Sequence, residues 1–252
     1  MTNQDSKKVT QTIGKEEEKD SVVEQWFEPM LLDTTLNFSN NVYLTLKHSD
    51  SIFYNEYFLD SKIIDSLTKP HNNRHIEALE IERYLLKTQS NHVKRDSSGL
   101  HVKLKHGDWR LLSLDPLADE ADNTFEYYFS DIGFYSIRVQ WGEGNGYKLI
   151  NHIDGTETNL FGRPYFSPDG HYVISVNMDF EAGYSQNGFQ LFRNENGKLK
   201  HLGNYEPSEW GPYSAKWIDN YRLILKNQTF DFKNVNIDYL DFYAELRIKK
   251  SG

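Results

Sequence analysis

The sequence predicts an all-β domain, either propeller-like or an irregular set of β-hairpins in four to five blade-like units. Three observations support this prediction. About sixteen segments alternate apolar with polar residues, these segments recur at a spacing of roughly ten residues, and clusters of Gly, Asn, Asp and Ser separate them. A regular ring of six or seven blades needs a longer chain than these 252 residues, so we expect fewer units.

The composition limits the classes of partner and of site. Aromatic residues make up 14% of the chain, which is ample material for a hydrophobic core. The formal net charge of −9 disfavours non-specific attraction to nucleic acid, so we expect no nucleic-acid partner. The absence of cysteine excludes disulfides, thiolate catalysis and cysteine-ligated zinc. No apolar run approaches the roughly 20 residues that a transmembrane helix needs.

Residues 1–20 form a polar, mixed-charge segment with almost nothing to bury, so we expect them to be disordered. Residues 21–252 then make a single β-rich domain. The segment looks like the tether of a mature bacterial lipoprotein, with Met1 standing where the lipidated cysteine would be. This likeness implies the cell envelope, in the periplasm or at the outer membrane, with membrane contact only through a lipid anchor. The alternative is the frayed end of a cytoplasmic protein.

Hydrophobic periodicity and turn signals predict the elements before residue 100. One helix is expected near 75–88, where Ala78, Ile81 and Leu85 form an apolar stripe, although residues 80–86 also fit a strand. The other expected elements are a short amphipathic turn at 22–32, strands at 42–47 and 52–58, and a polar loop at 91–98.

Beyond residue 100 the pattern is almost entirely that of paired strands. An acidic loop at 115–123 interrupts it. The expected strand pairs are 100–105 with 109–114, 125–130 with 133–140, 147–152 with 156–160, 188–193 with 198–203, and 214–218 with 221–226, followed by an aromatic strand run over 229–246.

Residues 164–176 combine a strand, a tight turn and a second strand, and the chain is organised around them. The turn is Ser167-Pro168-Asp169-Gly170, in which Pro presets φ and Asp accepts hydrogen bonds from nearby amides. Gly tolerates the left-handed conformation that such a turn requires. We therefore predict a positive φ at Gly170.

This segment, an aromatic residue followed by SPDG and an apolar strand, resembles the PD40 (WD40-like) repeat of TolB-type β-propellers. The resemblance covers about one blade and implies a propeller-type fold, which hosts many unrelated functions. A related pattern recurs about fifty residues later, where Trp217-Ile218-Asp219-Asn220 precedes the apolar residues 221–224.

Two loops, 178–188 and 206–213, carry the residues best suited to bind a ligand. If both open on one face, their aromatic rings and carboxylates would suit the CH surfaces and hydroxyls of a carbohydrate, or a peptide. The alternative is that the rings cap the core while the acids bond turn amides. We expect a structural role for Trp210 and an intermediate one for Tyr184. The predicted ligand-binding residues are Asp179, Glu181, Tyr184, Glu209 and Trp210.

The sequence nominates no catalytic residue, cofactor or metal site. A glycosidase pair made by Glu181 and Glu209 would need a carboxyl separation of about 5 Å or about 6.5–9.5 Å. The acids of loop 115–123 lack the alternating spacing of an EF-type calcium loop. His71 and His75 are four residues apart, a spacing that would place both on one face of a helix for a metal, but Asn72-Asn73 between them indicates a helix start and there is no HExxH motif.

These observations predict a non-enzymatic binding or protein-interaction module of the bacterial cell envelope, with a protein or carbohydrate ligand. Two alternatives remain open. One is a carbohydrate-active hydrolase that uses loop carboxylates. The other is a cytosolic, immunity-type protein whose acidic surface neutralises a basic partner.

Overall fold

The structure is a computed structural model that describes residues 34–39, 41–50, 59–113, 122–231 and 238–250. The expected turn at 22–32, the expected strand at 52–58 and the polar segment 1–20 lie outside the described residues. Over the described ranges the chain forms sixteen β-strands and two α-helices, which confirms the all-β prediction.

The strands follow the predicted hairpin spacing closely. In chain order they are β1 (Thr34–Asn37), β2 (Val42–His48), β3 (Val93–Asp96), β4 (Gly99–Lys103), β5 (Trp109–Ser113), β6 (Asp122–Phe129), β7 (Phe134–Trp141), β8 (Gly144–Asn151), β9 (Glu157–Leu160), β10 (Arg163–Phe166), β11 (Tyr172–Asn177), β12 (Gly188–Glu195), β13 (Lys198–Tyr205), β14 (Trp210–Trp217), β15 (Arg222–Asp231) and β16 (Asp238–Lys250).

These strands pair into four antiparallel sheets that resemble blades. Three sheets are runs of consecutive hairpins, ordered β3-β4-β5, β6-β7-β8-β9 and β10-β11-β12-β13. The fourth is ordered β1-β2-β16-β15-β14, so it joins strands from both ends of the described chain. The pairing of Ala244 with His48 through Lys250 with Val42 holds this closure together.

Each pair of neighbouring sheets shares one apolar layer. Strand β11 shows this most directly, because both of its faces are buried. Its residues Tyr172, Ile174 and Val176 pack into a cluster shared with the five-stranded sheet, as the predicted alternation requires. Val173, on the opposite face, packs into a second cluster shared with β7 to β9. Such face-to-face stacking of sheets is what makes the fold propeller-like.

Two helices cover one side of the sheets. Helix α1 (Ser61–Thr68) begins after Asp60, whose carboxylate accepts a 2.8 Å hydrogen bond from the Lys62 amide. Helix α2 (Arg74–Gln89) begins after Asn73, whose side chain accepts from the amides of His75 and Ile76. The helix predicted over 75–88 is therefore confirmed, whereas α1 was not predicted.

Two local predictions are wrong. Residues 91–98 include strand β3, because Val93 is fully buried and Arg95 forms an ion pair with the buried Glu82 of α2. The sequence of this strand is polar, so it resembles a loop, and the contacts that stabilise it come from residues elsewhere in the chain. The strands expected over 221–226 and from 229 onward are one continuous strand, β15, up to Asp231.

Candidate functional site

Asp179 shapes the loop that was predicted to bind a ligand. Its carboxylate accepts hydrogen bonds from the amides of Gly183, at 3.0 Å, and of Ser185. Its own amide donates to the side-chain oxygen of Asn187 at 3.1 Å. An acid that bonds turn amides in this way is the alternative expected for the acidic loop residues.

Trp210 lies in the core. Its side chain is only 1% exposed and packs against Phe242 and Tyr205, with ring centroids 5.5 Å and 6.1 Å away. The structural role expected for Trp210 is therefore confirmed, and this ring presents no face to a ligand. Tyr184, by contrast, is 59% exposed, which is more than the intermediate position expected for it.

The two predicted glutamates lie in different surroundings. Glu181 accepts a hydrogen bond from the hydroxyl of Tyr239, beside the rings of Phe180 and Phe230. Glu209 is exposed, and its backbone carbonyl accepts from the Thr229 hydroxyl at 2.7 Å. The five predicted residues therefore do not form one exposed patch, because Trp210 is buried and Asp179 is engaged within its own loop.

The structure instead shows a cleft of about 590 Å³ where three of the sheets meet the two helices. Helix α1 and the start of α2 form one wall, and strands β6, β7, β8, β10, β11, β14 and β15 contribute the others. The predicted loop reaches its rim, since Met178 lines the cleft and the Ser185 hydroxyl accepts from the amide of Asn145 at 3.0 Å. Neither Glu181 nor Glu209 is among the described residues that line it.

A carboxylate and a guanidinium form the floor of the cleft. Both Nε and Nη2 of Arg163 donate to Oε1 of Glu126, at 3.0 Å and 2.5 Å. The Tyr147 hydroxyl donates to the same oxygen at 2.9 Å, and the Ser136 hydroxyl donates to Oε2 at 3.4 Å. Three neighbouring side chains thus bind Glu126, mostly through Oε1.

Burial and charge set the protonation states of this cluster. Burial lowers the pKa of Arg163, but the adjacent Glu126 carboxylate outweighs it, so the pKa lies well above the ordinary value. Burial also raises the pKa of Tyr147 well above that of a free phenol. Arg163 therefore stays charged and Tyr147 stays a neutral hydrogen-bond donor at physiological pH.

A β-bulge places Glu126 in the cleft. In β6, Phe125 pairs with Ile137 and Tyr127 pairs with Ser136, so Glu126 is the extra residue between them. A bulge breaks the inside–outside alternation of a strand and re-aims the inserted side chain. The charged residue thereby leaves the sheet register and points toward the guanidinium of Arg163.

A second β-bulge places Tyr213 in the cleft. It is the extra residue in β14, between the pairs Pro212–Asn227 and Ser214–Lys226. Its hydroxyl donates to Asp241 at 2.9 Å, and Asp241 also accepts from the Gln228 amide at 2.8 Å. Burial raises the pKa of Tyr213 to about 12. Both bulges lie on edge strands that border the cleft.

A second ion pair, between Arg95 of β3 and Glu82 of α2, lies next to the strand that carries Glu126. Glu82, only 1% exposed, accepts from Arg95 and, at 2.6 Å, from the backbone amide of Phe125. Phe125 immediately precedes the bulge at Glu126, so this contact fixes α2 against β6 at the point where the strand turns its charged residue into the cleft. We assign Glu82 and Arg95 a positioning role.

No group of three or more His, Asp or Glu suited to a metal ion occurs among the described residues. Neither helix in the part of the chain that the structure covers is long and apolar enough to cross a membrane.

Comparison with known proteins adds little. No family model matches the chain, and no curated protein sequence matches it. Among solved structures, a putative 6-phosphogluconolactonase from Bacteroides uniformis shares 10% identity over 59% of this chain and 69% of its own, with a TM-score of 0.27. A likeness at that TM-score assigns neither a fold family nor an activity to this protein.

Sequence reasoning missed Glu126, Arg138, Tyr147, Arg163 and Tyr213, which all line the cleft. One signal was available, because Arg138 is a charged residue in the middle of a strand that is otherwise nearly all buried. A charge in such a strand needs a partner, a cavity or a ligand. The bulges that re-aim Glu126 and Tyr213 have no comparable signature in the sequence.

Proposed function

We propose that this protein is a non-enzymatic binding module of the bacterial cell envelope, and that it holds a carbohydrate in the cleft between its sheets and helices. The observation that carries the proposal is the cleft itself, whose volume of about 590 Å³ lies in the range of small-molecule sites. Its walls combine apolar side chains with amides and hydroxyls, including Asn145, Asn177, Tyr213 and Gln228. Amides and hydroxyls both donate and accept hydrogen bonds, as sugar hydroxyls require.

The state of Glu126 favours binding over catalysis. A general acid or base must be able to exchange a proton with its substrate. Glu126 is instead engaged in hydrogen bonds with Arg163, Tyr147 and Ser136, so it is held as part of the structure of the cleft. Glu181 and Glu209, the carboxylates considered for a hydrolase, are not among the described residues that line the cleft.

The envelope location rests on two features of the sequence. Residues 1–20 have the polar composition of a lipoprotein tether, and residues 164–176 resemble the PD40 repeat of TolB-type propellers. Cell fractionation of the native organism tests this part. Recovery with the membrane or periplasmic fraction is expected, and recovery with the cytoplasmic fraction alone would contradict it.

Binding is tested by calorimetry of the full chain against a panel of neutral and acidic oligosaccharides. The variant Asn145→Trp places a large ring at the cleft wall while keeping the backbone amide that donates to Ser185. We expect it to weaken binding at least about tenfold. Glu143→Trp, an exposed position on the same hairpin, is the matched control and should bind normally. Equal binding by Asn145→Trp and the control would exclude the cleft as the site.

A further inference from the structure

The guanidinium of Arg138 forms no ion pair with any residue that the structure describes. It lies in the middle of β7, lines the cleft, and its Nε atom is buried without a hydrogen-bond acceptor. No carboxylate of the described residues lies within ion-pairing distance of it, whereas Arg163 and Arg95 are each bound by a glutamate. The buried Nε–H of Arg138 therefore lacks the acceptor that a buried donor requires.

The neighbouring acid does not compensate this charge. Glu126 is neutralised by Arg163 and also accepts from Tyr147, the cross-strand neighbour of Arg138. The helical wall of the cleft carries Asp65, Arg74 and Glu77, and none of these forms an ion pair with Arg138. The cleft therefore contains a half-buried guanidinium whose buried Nε–H has no acceptor among the described residues.

The surroundings of Arg138 suit a ligand. Asn145 and Tyr147 are two residues apart on β8, so their side chains share one face of the sheet, and Arg138 pairs directly with Tyr147 on that face. A buried polar group without a protein partner calls for a water, an ion or a ligand. The planar guanidinium matches the two oxygens of a carboxylate or phosphate better than it matches a hydroxyl.

We infer that the cleft binds an acidic ligand and that Arg138 receives its carboxylate or phosphate group, while the amides and hydroxyls of the walls bind the neutral part. This inference rests on the carbohydrate-binding function proposed above and narrows it to acidic sugars. The net charge of −9 disfavours general attraction of anions, so recognition of the acid depends on the cations of the cleft. Among these, Arg163 is already bound by Glu126, whereas the Nε–H of Arg138 has no acceptor among the described residues.

The first test needs no carbohydrate. The full chain, labelled with ¹⁵N at arginine side chains, is titrated with acetate in one series and inorganic phosphate in another, followed by NMR. We expect a saturable shift of the Nε–H signal of Arg138 with at least one anion, and the preferred anion distinguishes a carboxylate site from a phosphate site. Arg138→Gln assigns the signal. A signal that moves with neither anion overturns the inference, whatever the protein binds.

The second test uses matched oligosaccharides that differ only in carrying a hydroxyl, a carboxylate or a phosphate at one position. Calorimetry should show the acidic form binding at least about tenfold more tightly than the neutral form. Arg138→Gln should remove that preference, and Arg138→Lys should keep part of it because the charge remains without the planar fork. Arg83→Gln removes the same charge from an exposed site on α2 and is the matched control.

The outcomes of the second test separate the two proposals. Equal binding of neutral and acidic forms, lost in Asn145→Trp, would overturn the inference and leave the carbohydrate-binding function intact. An acidic preference that survives in Arg138→Gln, with an unchanged melting temperature, would also overturn it. An acidic preference lost in Arg138→Gln and kept in Arg83→Gln supports it.

Discussion

Arg138 and Arg163 line the same cleft but differ in what surrounds them. Arg163 is held by two hydrogen bonds to Glu126, so the two side chains offset each other's charge. Arg138 has no such partner among the described residues. Arg163 is therefore bound within the protein, whereas the Nε–H of Arg138 is left without an acceptor among the described residues.

Replacing each arginine by methionine should separate these roles. Arg163→Met leaves Glu126 buried beside an apolar chain, and we expect it to lower the free energy of unfolding by about 3 kcal/mol. Arg138→Met keeps a similar stem and removes an unsatisfied donor, so its effect should stay within about 0.5 kcal/mol or be stabilising. Urea denaturation measures both. A large loss of stability in Arg138→Met would show that this side chain has a structural partner.

The two aromatic residues of the predicted site should respond oppositely to truncation. Trp210 is buried against Phe242 and Tyr205, so Trp210→Ala should destabilise the protein by about 3–5 kcal/mol through the cavity it leaves. Tyr184 is mostly exposed, and Tyr184→Ala should change stability by less than about 0.5 kcal/mol. Thermal denaturation of the two variants measures this difference in stability. Similar melting temperatures for the two variants would disprove the burial of Trp210.

At the scale of single elements, the turn at Gly170 and the bulge at Glu126 differ in how far local sequence determines them. Gly170 has a φ of +69°, as predicted from the SPDG sequence. Its backbone amide donates a 2.8 Å hydrogen bond to the backbone carbonyl of Ser167. The turn follows from local chemistry alone, because Pro, Asp and Gly each favour it without help from distant residues. The bulge at Glu126 depends on the partner strand, because it is defined by two residues opposing one.

Substitution at Gly170 tests the turn. Gly170→Val forces a branched side chain into a left-handed conformation and brings its Cβ within 3.3 Å of Ile132, so we expect a loss of about 1–2 kcal/mol. Gly170→Asn is the control, since Asn tolerates this conformation and should lose less. The urea midpoint of each variant measures the effect. Equal midpoints for Gly170→Val and the unaltered protein would contradict the turn assignment.

At the scale of the whole molecule, stacked sheets bury several tyrosines together. Burial is the largest of the effects that raise the pKa of three tyrosines, Tyr135, Tyr147 and Tyr213. The pKa of Tyr213 rises to about 12. The neutral phenol is therefore favoured in the folded state relative to the unfolded chain, whose tyrosines ionise near pH 10. The stability that these groups contribute is fully present below pH 10 and is lost as the pH rises toward 12.

We therefore expect the urea midpoint to be constant from neutral pH to about pH 10 and to fall between about pH 10 and about pH 12. Tyr213→Phe cannot ionise at that position, so the fall should be smaller in this variant. The ultraviolet absorbance of tyrosinate, followed in the same samples, reports which fraction has ionised. A midpoint that does not change across this range would contradict the assigned burial of these phenols.

The amino-acid pattern was sufficient to predict the all-β class, the hairpin spacing, the helix near 75–88 and the conformation of Gly170. These features depend on neighbours along the chain, through periodicity, capping and turn chemistry. It also identified the loop at 178–188, whose Met178 reaches the cleft rim. It also favoured a position in the core over a position on the surface for Trp210.

The position of the candidate site could not be predicted from the sequence, because it depends on contacts between distant residues. Strand β3 pairs with β4, buries Val93 and carries Arg95, which binds Glu82 of α2, 13 residues away along the chain. Glu126 and Tyr213 enter the cleft because the partner strands leave each of them as an extra residue. The charge of Arg138 within a mostly apolar strand is visible in the sequence, but the missing acceptor for its Nε–H is seen only in the folded chain. Such features depend on residues brought together from distant parts of the chain, and local sequence patterns carry no information about those distances.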